Sequence, residues 1–212
     1  MSVAVAARFR SDRPPGNPFA TRFTRPGAVP PLDARGRPLD VAALIAQLPC
    51  RGPAAIVAPH GHGKTTLLVA IAAAVAAAGR PVQLVRVRRW ADAVAALAAV
   101  VAAPAGGLVC IDGWESLGPG CWPLRQAARR LGRRLLVTSH GPAGMPVLWR
   151  CDTSPELLRA IIARLPDHGG RIVAEEIDAA FRRHAGDLRA TLYDLYDRYE
   201  RNAAVDDEPC GC

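Results

Sequence analysis

The stretch that decides the fold is 58–65, A-P-H-G-H-G-K-T. It follows the apolar run 54–57 (A-A-I-V) and leads into 66–71 (T-L-L-V-A-I), a pattern that predicts a strand, a glycine turn and the start of a helix. Gly61 and Gly63 let the backbone curl so that successive N–H groups point at one anion, and the new helix adds its positive end. The stretch is therefore predicted to be a phosphate-binding loop.

Each residue type in this loop has a predicted role. Lys64 can reach the β- and γ-phosphates of a nucleotide, and the Thr65 hydroxyl can hold Mg²⁺. Alanine at position 58 replaces the usual first glycine, which is tolerable if its φ stays negative. The two histidines fill variable positions, where we expect them to face solvent rather than to bind a metal. The predicted nucleotide-binding residues are Ala58, Pro59, His60, Gly61, His62, Gly63, Lys64, Thr65 and Thr66.

Lys64 is the only lysine of the chain. The sequence has 27 basic residues, Lys and Arg together, and all the others are Arg. Wherever charge alone matters, this sequence uses a guanidinium, but at position 64 it keeps a compact ammonium on a flexible stem, which suits a crowded phosphate. The position of the single lysine therefore supports a phosphate-binding role for this loop more strongly than the motif pattern alone.

Composition limits the class of protein. The 212 residues, 50% hydrophobic and 5% aromatic, are enough for one domain with a core of Ala, Val and Leu. No run is long enough to span a membrane, and residues 1–10 lack a secretory signal. Six cysteines without C-x-x-C spacing predict reduced thiols of a cytoplasmic protein, and the pair Cys210 and Cys212 is expected to lie in a frayed tail. The net charge of +8 leaves nucleic acid open as a partner through Arg-rich surfaces.

The order of apolar runs and breakers predicts an α/β chain with a mostly parallel five-stranded sheet. Residues 1–38, rich in Pro, Gly and Arg, are predicted to form an irregular arm that is ordered only if it docks. The predicted core is 39–152, with helices on both faces of the sheet. Amphipathic helices in 153–203 predict a small helical lid, and 204–212 a flexible tail.

Polar side chains follow two of the predicted strands, where ligands of parallel sheets gather. Asp112 ends the apolar strand 108–112 and is expected to reach the Mg²⁺ shell beside Thr65. Glu115 is either the base that polarises the attacking water or a solvated loop carboxylate. Thr138 and Ser139 end the next strand, where a hydroxyl can position water near the γ-phosphate or simply cap the turn.

With these features in this order, the chain resembles P-loop NTPases of the additional-strand division, over residues 54 to about 150. The resemblance implies a three-layer α/β/α fold in which the strand ending at Thr138 lies between the loop strand and the Asp112 strand. The run 179–189, A-A-F-R-R-H-A-G-D-L-R, looks like the lid of AAA+ ATPases, which makes Arg189 a second sensor; a salt bridge is the alternative. No arginine-finger segment matches, and no adenine box is clear, although 23–27 is a candidate.

The resemblance implies binding of ATP and Mg²⁺ and, through a base at Glu115, ATP hydrolysis coupled to lid movement or to remodelling of a protein partner. It also allows a homo-oligomer that depends on nucleotide. The alternatives are a nucleotide-dependent switch or assembly protein with little hydrolysis, a small-molecule kinase, and a basic nucleic-acid module. The chain is similar as well to uncharacterised bacterial ATP-binding proteins of this size.

Overall fold

A computed structural model of the protein describes residues 16–206. The predictions for residues 1–15 of the arm and for the tail beyond residue 206, including Cys210 and Cys212, lie outside the described residues. One five-stranded sheet forms the centre, and every strand pairing in it is parallel. Its strands are β1 Gly52–Val57, β2 Val82–Arg86, β3 Leu108–Asp112, β4 Arg134–Ser139 and β5 Val147–Arg150.

Helices connect the strands and complete the chain. They are α1 Thr21–Thr24, α2 Val41–Gln47, α3 Lys64–Ala77, α4 Ala93–Ala102, α5 Cys121–Arg130, α6 Pro155–Ile162, α7 Ala174–Arg183 and α8 Leu188–Asp206. Two 3₁₀ turns, Trp90–Asp92 and Trp114–Gly120, precede α4 and α5. None of the helices within 16–206 combines the length and the apolar character that a bilayer crossing requires.

The sheet has the strand order β2-β3-β4-β1-β5. Strand β4 therefore lies between β1, which leads into the glycine loop, and β3, which ends at Asp112. Helices α2 and α3 pack on one face through a cluster that includes Leu68 and Ile71, and α4 and α5 pack on the other through a cluster that includes Val100 and Leu124. The predicted three-layer α/β/α fold with the additional strand in this place is confirmed.

Strand β1 includes Gly52 and Pro53, residue types that usually interrupt a strand, and both are paired with β4. On its other side β1 pairs with β5 only from Ala55 onward. Because proline lacks an N–H, it is tolerated in a strand where that side has no neighbour, and Pro53 occupies such a position.

The C-terminal helices α6–α8 form their own apolar cluster, which includes Leu158, Ile177 and Leu195. Helix α6 begins with the Ser154 hydroxyl accepting a hydrogen bond from the Leu157 N–H at 3.0 Å and with Pro155 in the first turn. This cluster also contains Phe19, which is 1% exposed. Phe19 thus anchors the arm in this cluster.

Candidate functional site

The glycine loop has the backbone that phosphate binding requires. Gly61 and Gly63 adopt φ of +70° and +82°, values that residues with a side chain rarely take. Ala58 is not among the residues with positive φ, so its replacement of a glycine costs no strain. Helix α3 starts at Lys64, directly after the loop. The N–H groups of the loop and of the first turn therefore converge on one point.

Lys64 is held inside the loop. Its Nζ donates hydrogen bonds to the carbonyl oxygens of Ala58 at 2.6 Å and Pro59 at 2.5 Å, and the residue is 9% exposed. Burial lowers the pKa of this ammonium, and the nearby carboxylates of Glu115 and Asp112 act in the opposite direction. Both contacts of Nζ are to carbonyl oxygens, acceptors that the oxygens of a bound anion can replace.

Asp112 is the centre of a hydroxyl network at the ends of β3 and β4. Its Oδ1 accepts hydrogen bonds from the Thr65 hydroxyl at 2.9 Å and the Thr138 hydroxyl at 2.8 Å. The Thr138 oxygen in turn accepts from the Gly113 N–H at 2.9 Å. The other oxygen, Oδ2, is buried without a hydrogen bond, and the Arg88 guanidinium lies 3.8 Å from it. A buried carboxylate oxygen without a donor is a site that attracts a cation.

These groups fit Mg²⁺. Carboxylate and hydroxyl oxygens are ligands that this hard cation prefers, and it commonly takes only one or two protein ligands beside phosphates and water. Within residues 16–206, no three or more His, Cys, Asp or Glu side chains are grouped so that they could hold a metal ion. Thr65 and Asp112 are the residues that would hold the ion.

Glu115 lies across the loop from these groups. Its Oε1 is 3.1 Å from Nε2 of His140, and the His140 ring meets the His60 ring edge to face with centroids 4.0 Å apart. Burial lowers the pKa of His140, although the Glu115 carboxylate opposes that shift. Because a carboxylate can only accept, Nε2 of His140 is the donor of this contact and holds one oxygen of Glu115.

The position of Glu115, three residues beyond Asp112, has a steric cause. Gly113 has φ of +95°, and a Cβ there would lie 2.4 Å from the carbonyl oxygen of Val87. A glutamate directly after Asp112 is therefore impossible in this backbone. The carboxylate comes instead from the 3₁₀ turn that follows.

One cavity of about 830 Å³ opens in front of the loop. Of the predicted residues it is lined by His60, Gly61, His62, Gly63, Lys64, Thr65, Thr66, Asp112, Glu115, Thr138 and Arg189. Ala58 and Pro59 contribute through their carbonyls to Lys64 instead. The Ser139 hydroxyl accepts a weak bond from the Gly141 N–H at 3.3 Å and does not line the cavity, which is the turn-capping alternative.

The two loop histidines differ from the solvent-facing side chains expected of them. His60 is exposed, but its ring packs against His140, and Nδ1 of His62 is buried without a hydrogen bond. The loop faces a cavity whose far wall is supplied by other segments, and so its variable positions are not directed into open solvent. No local pattern in the sequence indicates that wall.

The arm supplies much of that wall. Residues 24–26 and 29–35 line the cavity, as does Arg86 at the end of β2. The arm is fixed to the C-terminal helices: the Ser154 hydroxyl donates to the Ala34 carbonyl, and the Asn17 amide donates to the Tyr196 carbonyl at 3.0 Å. The sequence contains no clear adenine box, and the candidate segment 23–27 lies at the edge of this wall.

Cys151 is a further residue of the cavity that the motif search missed. Burial raises the pKa of its thiol to about 12, even though the Lys64 ammonium acts in the opposite direction. A thiol with so high a pKa is protonated at neutral pH and is a poor nucleophile. Cys151 is thus a half-buried thiol that lines the cavity and packs beside the sheet.

Helix α8 closes against the loop through Asp187. This carboxylate accepts a hydrogen bond from the Ala190 N–H at 2.9 Å and lies so close to Gly61 that a Cβ there would be 1.8 Å from its Oδ1. Arg189, the second residue of α8, is exposed and lines the cavity. The helix start thus brings a carboxylate and a guanidinium to the phosphate loop together.

Gly61→Ala is expected to lower the free energy of unfolding by about 2–4 kcal/mol, because the new methyl group adds a collision to an unfavourable φ. The matched control is Gly63→Ala: that position also has positive φ but no atom within 4 Å of its Cβ, so it should lose only about 1–2 kcal/mol. Thermal and denaturant unfolding measure both.

Asp187→Ser keeps a capping oxygen but removes the atoms that the new methyl group would meet. It should therefore reduce the stability cost of Gly61→Ala and leave the cost of Gly63→Ala unchanged. If Gly61→Ala costs the same stability with Asp187 as with serine at that position, the contact is contradicted.

Comparison with known proteins adds a weak likeness in fold. No family model and no curated protein matches the chain. Similar solved structures include a replication initiator DnaA bound to AMPPCP and single-stranded DNA (TM-score 0.41, 12% identity, covering 79% of this chain and 59% of that one). Another is a DNA replication initiation factor (TM-score 0.45, 15% identity, covering 77% of this chain and 62% of that one). The chain thus spans about three fifths of the length of the structures it resembles.

The class of the fold follows from the chain itself. A glycine loop between β1 and α3, Asp112 at the end of β3, and β4 inserted between those two strands are together the arrangement of P-loop NTPases with the additional strand. Helices α6–α8 follow the sheet as a separate apolar cluster, as in the predicted AAA+-like architecture.

Proposed function

We propose that the protein binds ATP with Mg²⁺ and hydrolyses it, using the binding energy to move helices α6–α8 relative to the sheet. The observation that carries this proposal is the environment of Lys64. The single lysine of the chain begins a helix at the bottom of an 830 Å³ cavity, beside a buried carboxylate oxygen without a donor. A polyanion accompanied by a divalent cation is the ligand that satisfies both groups.

The triphosphate would lie along the loop. Backbone N–H groups of 60–65 would face its β- and γ-phosphates, and Lys64 would exchange its two carbonyl partners for phosphate oxygens. Thr65 and Asp112 would hold Mg²⁺, which would supply neutralisation of the phosphate charge. Arg189 is free to approach the same phosphates from helix α8. The volume of the cavity is within the range usual for small-molecule sites.

In the proposed reaction Glu115 accepts a proton from water as the water oxygen attacks the γ-phosphorus. The bond to the β–γ bridging oxygen breaks, and ADP and inorganic phosphate leave. Thr138 orients Asp112 through its hydroxyl hydrogen bond of 2.8 Å, and so acts as a positioning residue. His140 sets the direction of the Glu115 carboxylate by holding one of its oxygens.

One observation favours a second candidate, a nucleotide-dependent switch with slow basal hydrolysis. Oε1 of Glu115 is already paired with His140 at 3.1 Å, so only Oε2 can take a proton from water while that pair is intact. A partner that displaces His140 would then raise the rate. Both candidates require ATP binding and differ only in turnover without a partner.

Calorimetry of ATP binding with Mg²⁺ and with EDTA tests the proposal. We expect the wild type to bind Mg-ATP, and removal of Mg²⁺ to weaken binding at least about tenfold, since the cation neutralises the phosphates beside Asp112. Asp112→Asn keeps an oxygen for the Thr65 and Thr138 hydroxyls but loses the charge, so its affinity should respond far less to Mg²⁺. Absence of ATP binding, or equal Mg²⁺ dependence in the variant, would contradict the assignment.

A further inference from the structure

The end of strand β2 brings an arginine to the carboxylate of Asp112. Arg86, the last residue of β2, is paired in register with Asp112 at the end of β3. Arg86 and Arg88 both line the cavity, whereas Val87 between them is buried. The Nη2 atom of Arg88 lies 3.8 Å from Oδ2 of Asp112, the buried oxygen that accepts no hydrogen bond within residues 16–206. A cation of the chain itself therefore lies beside the place where Mg²⁺ would be held.

The backbone of Arg88 is fixed, but its side chain is not. The Val87 N–H donates a hydrogen bond to the Asp112 carbonyl at 2.8 Å, and the Arg88 N–H donates to Oδ2 of Asp92 at 2.8 Å. The side chain of Arg88 is 70% exposed, and 3.8 Å is too long for a hydrogen bond to Asp112. The guanidinium can therefore turn away from this carboxylate without breaking a hydrogen bond to it.

Mg²⁺ and the Arg88 guanidinium would compete for Asp112. Its Oδ1 already accepts hydrogen bonds from the Thr65 and Thr138 hydroxyls, which leaves Oδ2 as the oxygen that both cations seek. A divalent ion attracts a carboxylate about twice as strongly as a guanidinium does at equal distance, and it repels the guanidinium itself. The displaced side chain then needs another anion, and the nearest would be the phosphate bound by Lys64.

We propose that Arg88 is exchanged between two anions: it neutralises Asp112 while the site holds no Mg-ATP, and it donates to the γ-phosphate once Mg²⁺ has replaced it at Asp112. This role rests on the proposed function, since it needs both ATP and Mg²⁺ in the cavity. Arg88 is then a catalytic residue, because its planar fork of N–H donors binds phosphate oxygens on which negative charge is spread as the bond to the bridging oxygen breaks.

Arg88 differs from Arg189, the other arginine assigned to the γ-phosphate. Arg189 belongs to α8, so its approach depends on the position of the C-terminal helices. Arg88 follows directly on β2, which pairs with the strand that carries Asp112. It therefore reaches the phosphates from the same sheet as the glycine loop, and its contact does not require movement of α6–α8.

Affinities of the full chain for two nucleotides test the exchange, because ADP lacks the phosphate that Arg88 would contact. Calorimetry in Mg²⁺ compares ADP with AMPPCP, an ATP analogue that is not hydrolysed. Arg88→Gln should weaken AMPPCP binding at least about tenfold, the loss expected of a charge-assisted contact. The same variant should bind ADP at least as tightly as the wild type, since a competitor for Asp112 is removed. Arg88→Lys, which keeps the charge without the fork, should weaken AMPPCP binding less.

Arg89→Gln is the matched control. It removes the same charge from the next residue, whose side chain is 80% exposed and does not line the cavity, so both affinities should stay within about twofold of the wild type. Unchanged thermal unfolding shows that both glutamine variants fold. An unchanged ratio of AMPPCP to ADP affinity in Arg88→Gln, or an equal loss of AMPPCP binding in Arg89→Gln, would overturn the role of Arg88. A wild type that binds neither nucleotide would instead contradict the proposed function, and this role with it.

Titration of the ADP complex with Mg²⁺ measures the displacement step without any turnover. Arg88→Gln should raise the affinity for Mg²⁺ by about threefold, the effect of removing a weak, solvent-exposed ion pair that the metal must break. Arg89→Gln should leave it unchanged. If Arg88→Gln has the same or a lower affinity for Mg²⁺ than the wild type, the guanidinium does not compete with the metal and the exchange is wrong.

Discussion

Replacing Lys64 by alanine is expected to weaken Mg-ATP binding by at least about a hundredfold, because charge-assisted contacts to two phosphate groups contribute about 1.5–3 kcal/mol each. The variant should fold, since the loop carbonyls that Nζ now contacts, those of Ala58 and Pro59, can be hydrated from the adjoining cavity. Calorimetry gives the affinity, and circular dichroism gives the stability. An alanine variant with wild-type affinity would remove the central claim of the proposed function.

Two variants that conserve the positive charge separate the effect of side-chain shape on ATP affinity from the effect of charge. Lys64→Arg keeps the positive charge but places a planar guanidinium where the buried loop accommodates a compact ammonium, so we expect a loss close to that of alanine. Arg130→Lys, on the exposed side of α5, makes the reverse change where nothing requires the guanidinium shape, and its affinity should stay at the wild-type value. Full binding by Lys64→Arg would show that the site senses charge alone.

Replacing Glu115 by glutamine is expected to reduce ATP turnover by about a hundred- to a thousandfold and to change affinity less than about threefold, since it removes only the proton acceptor. Glutamine has the same length and can still accept a hydrogen bond from His140 through its amide oxygen. Single-turnover measurements separate the chemical step from product release. An unchanged rate would assign the base elsewhere.

The companion variant His140→Ala decides between the two candidate functions. If the His140 pair keeps Glu115 away from water, the alanine variant should hydrolyse ATP faster than the wild type at equal affinity, which is the behaviour of a restrained switch. If His140 instead directs the carboxylate toward water, turnover should fall. In the double variant with Glu115→Gln, His140→Ala should have no further effect in either case, because the two act as one unit.

Local features of the site could be predicted because their signals are local. The turn of 58–65 needs glycine at two positions of positive φ, and these are Gly61 and Gly63. The cap at Ser154 and the end of β3 at Asp112 likewise follow from a few adjacent residues. Placing Thr138 beside Asp112 also required the strand order, which the resemblance to additional-strand P-loop proteins supplied and the observed sheet confirms.

The rest could not be predicted because it depends on contacts between distant segments. The Glu115 carboxylate meets His140 only because two loops follow neighbouring strands, and the need for glycine at 113 comes from the carbonyl of Val87. The docking of the arm through Phe19 likewise has no local signal.

The amino-acid sequence by itself determined a phosphate loop with one lysine, the alternation of strands and helices, and the carboxylate that ends β3. Those follow from the dihedral needs of glycine and from hydrophobic periodicity, which act over a few residues. Only the tertiary structure decided which side chains share the cavity, that Asp187 rests on Gly61, and that α4 leaves Val94 and Val101 in solvent. Burial and proximity are properties of the packed chain, and a helix of alanine, valine and leucine has the same sequence whether it is covered or exposed.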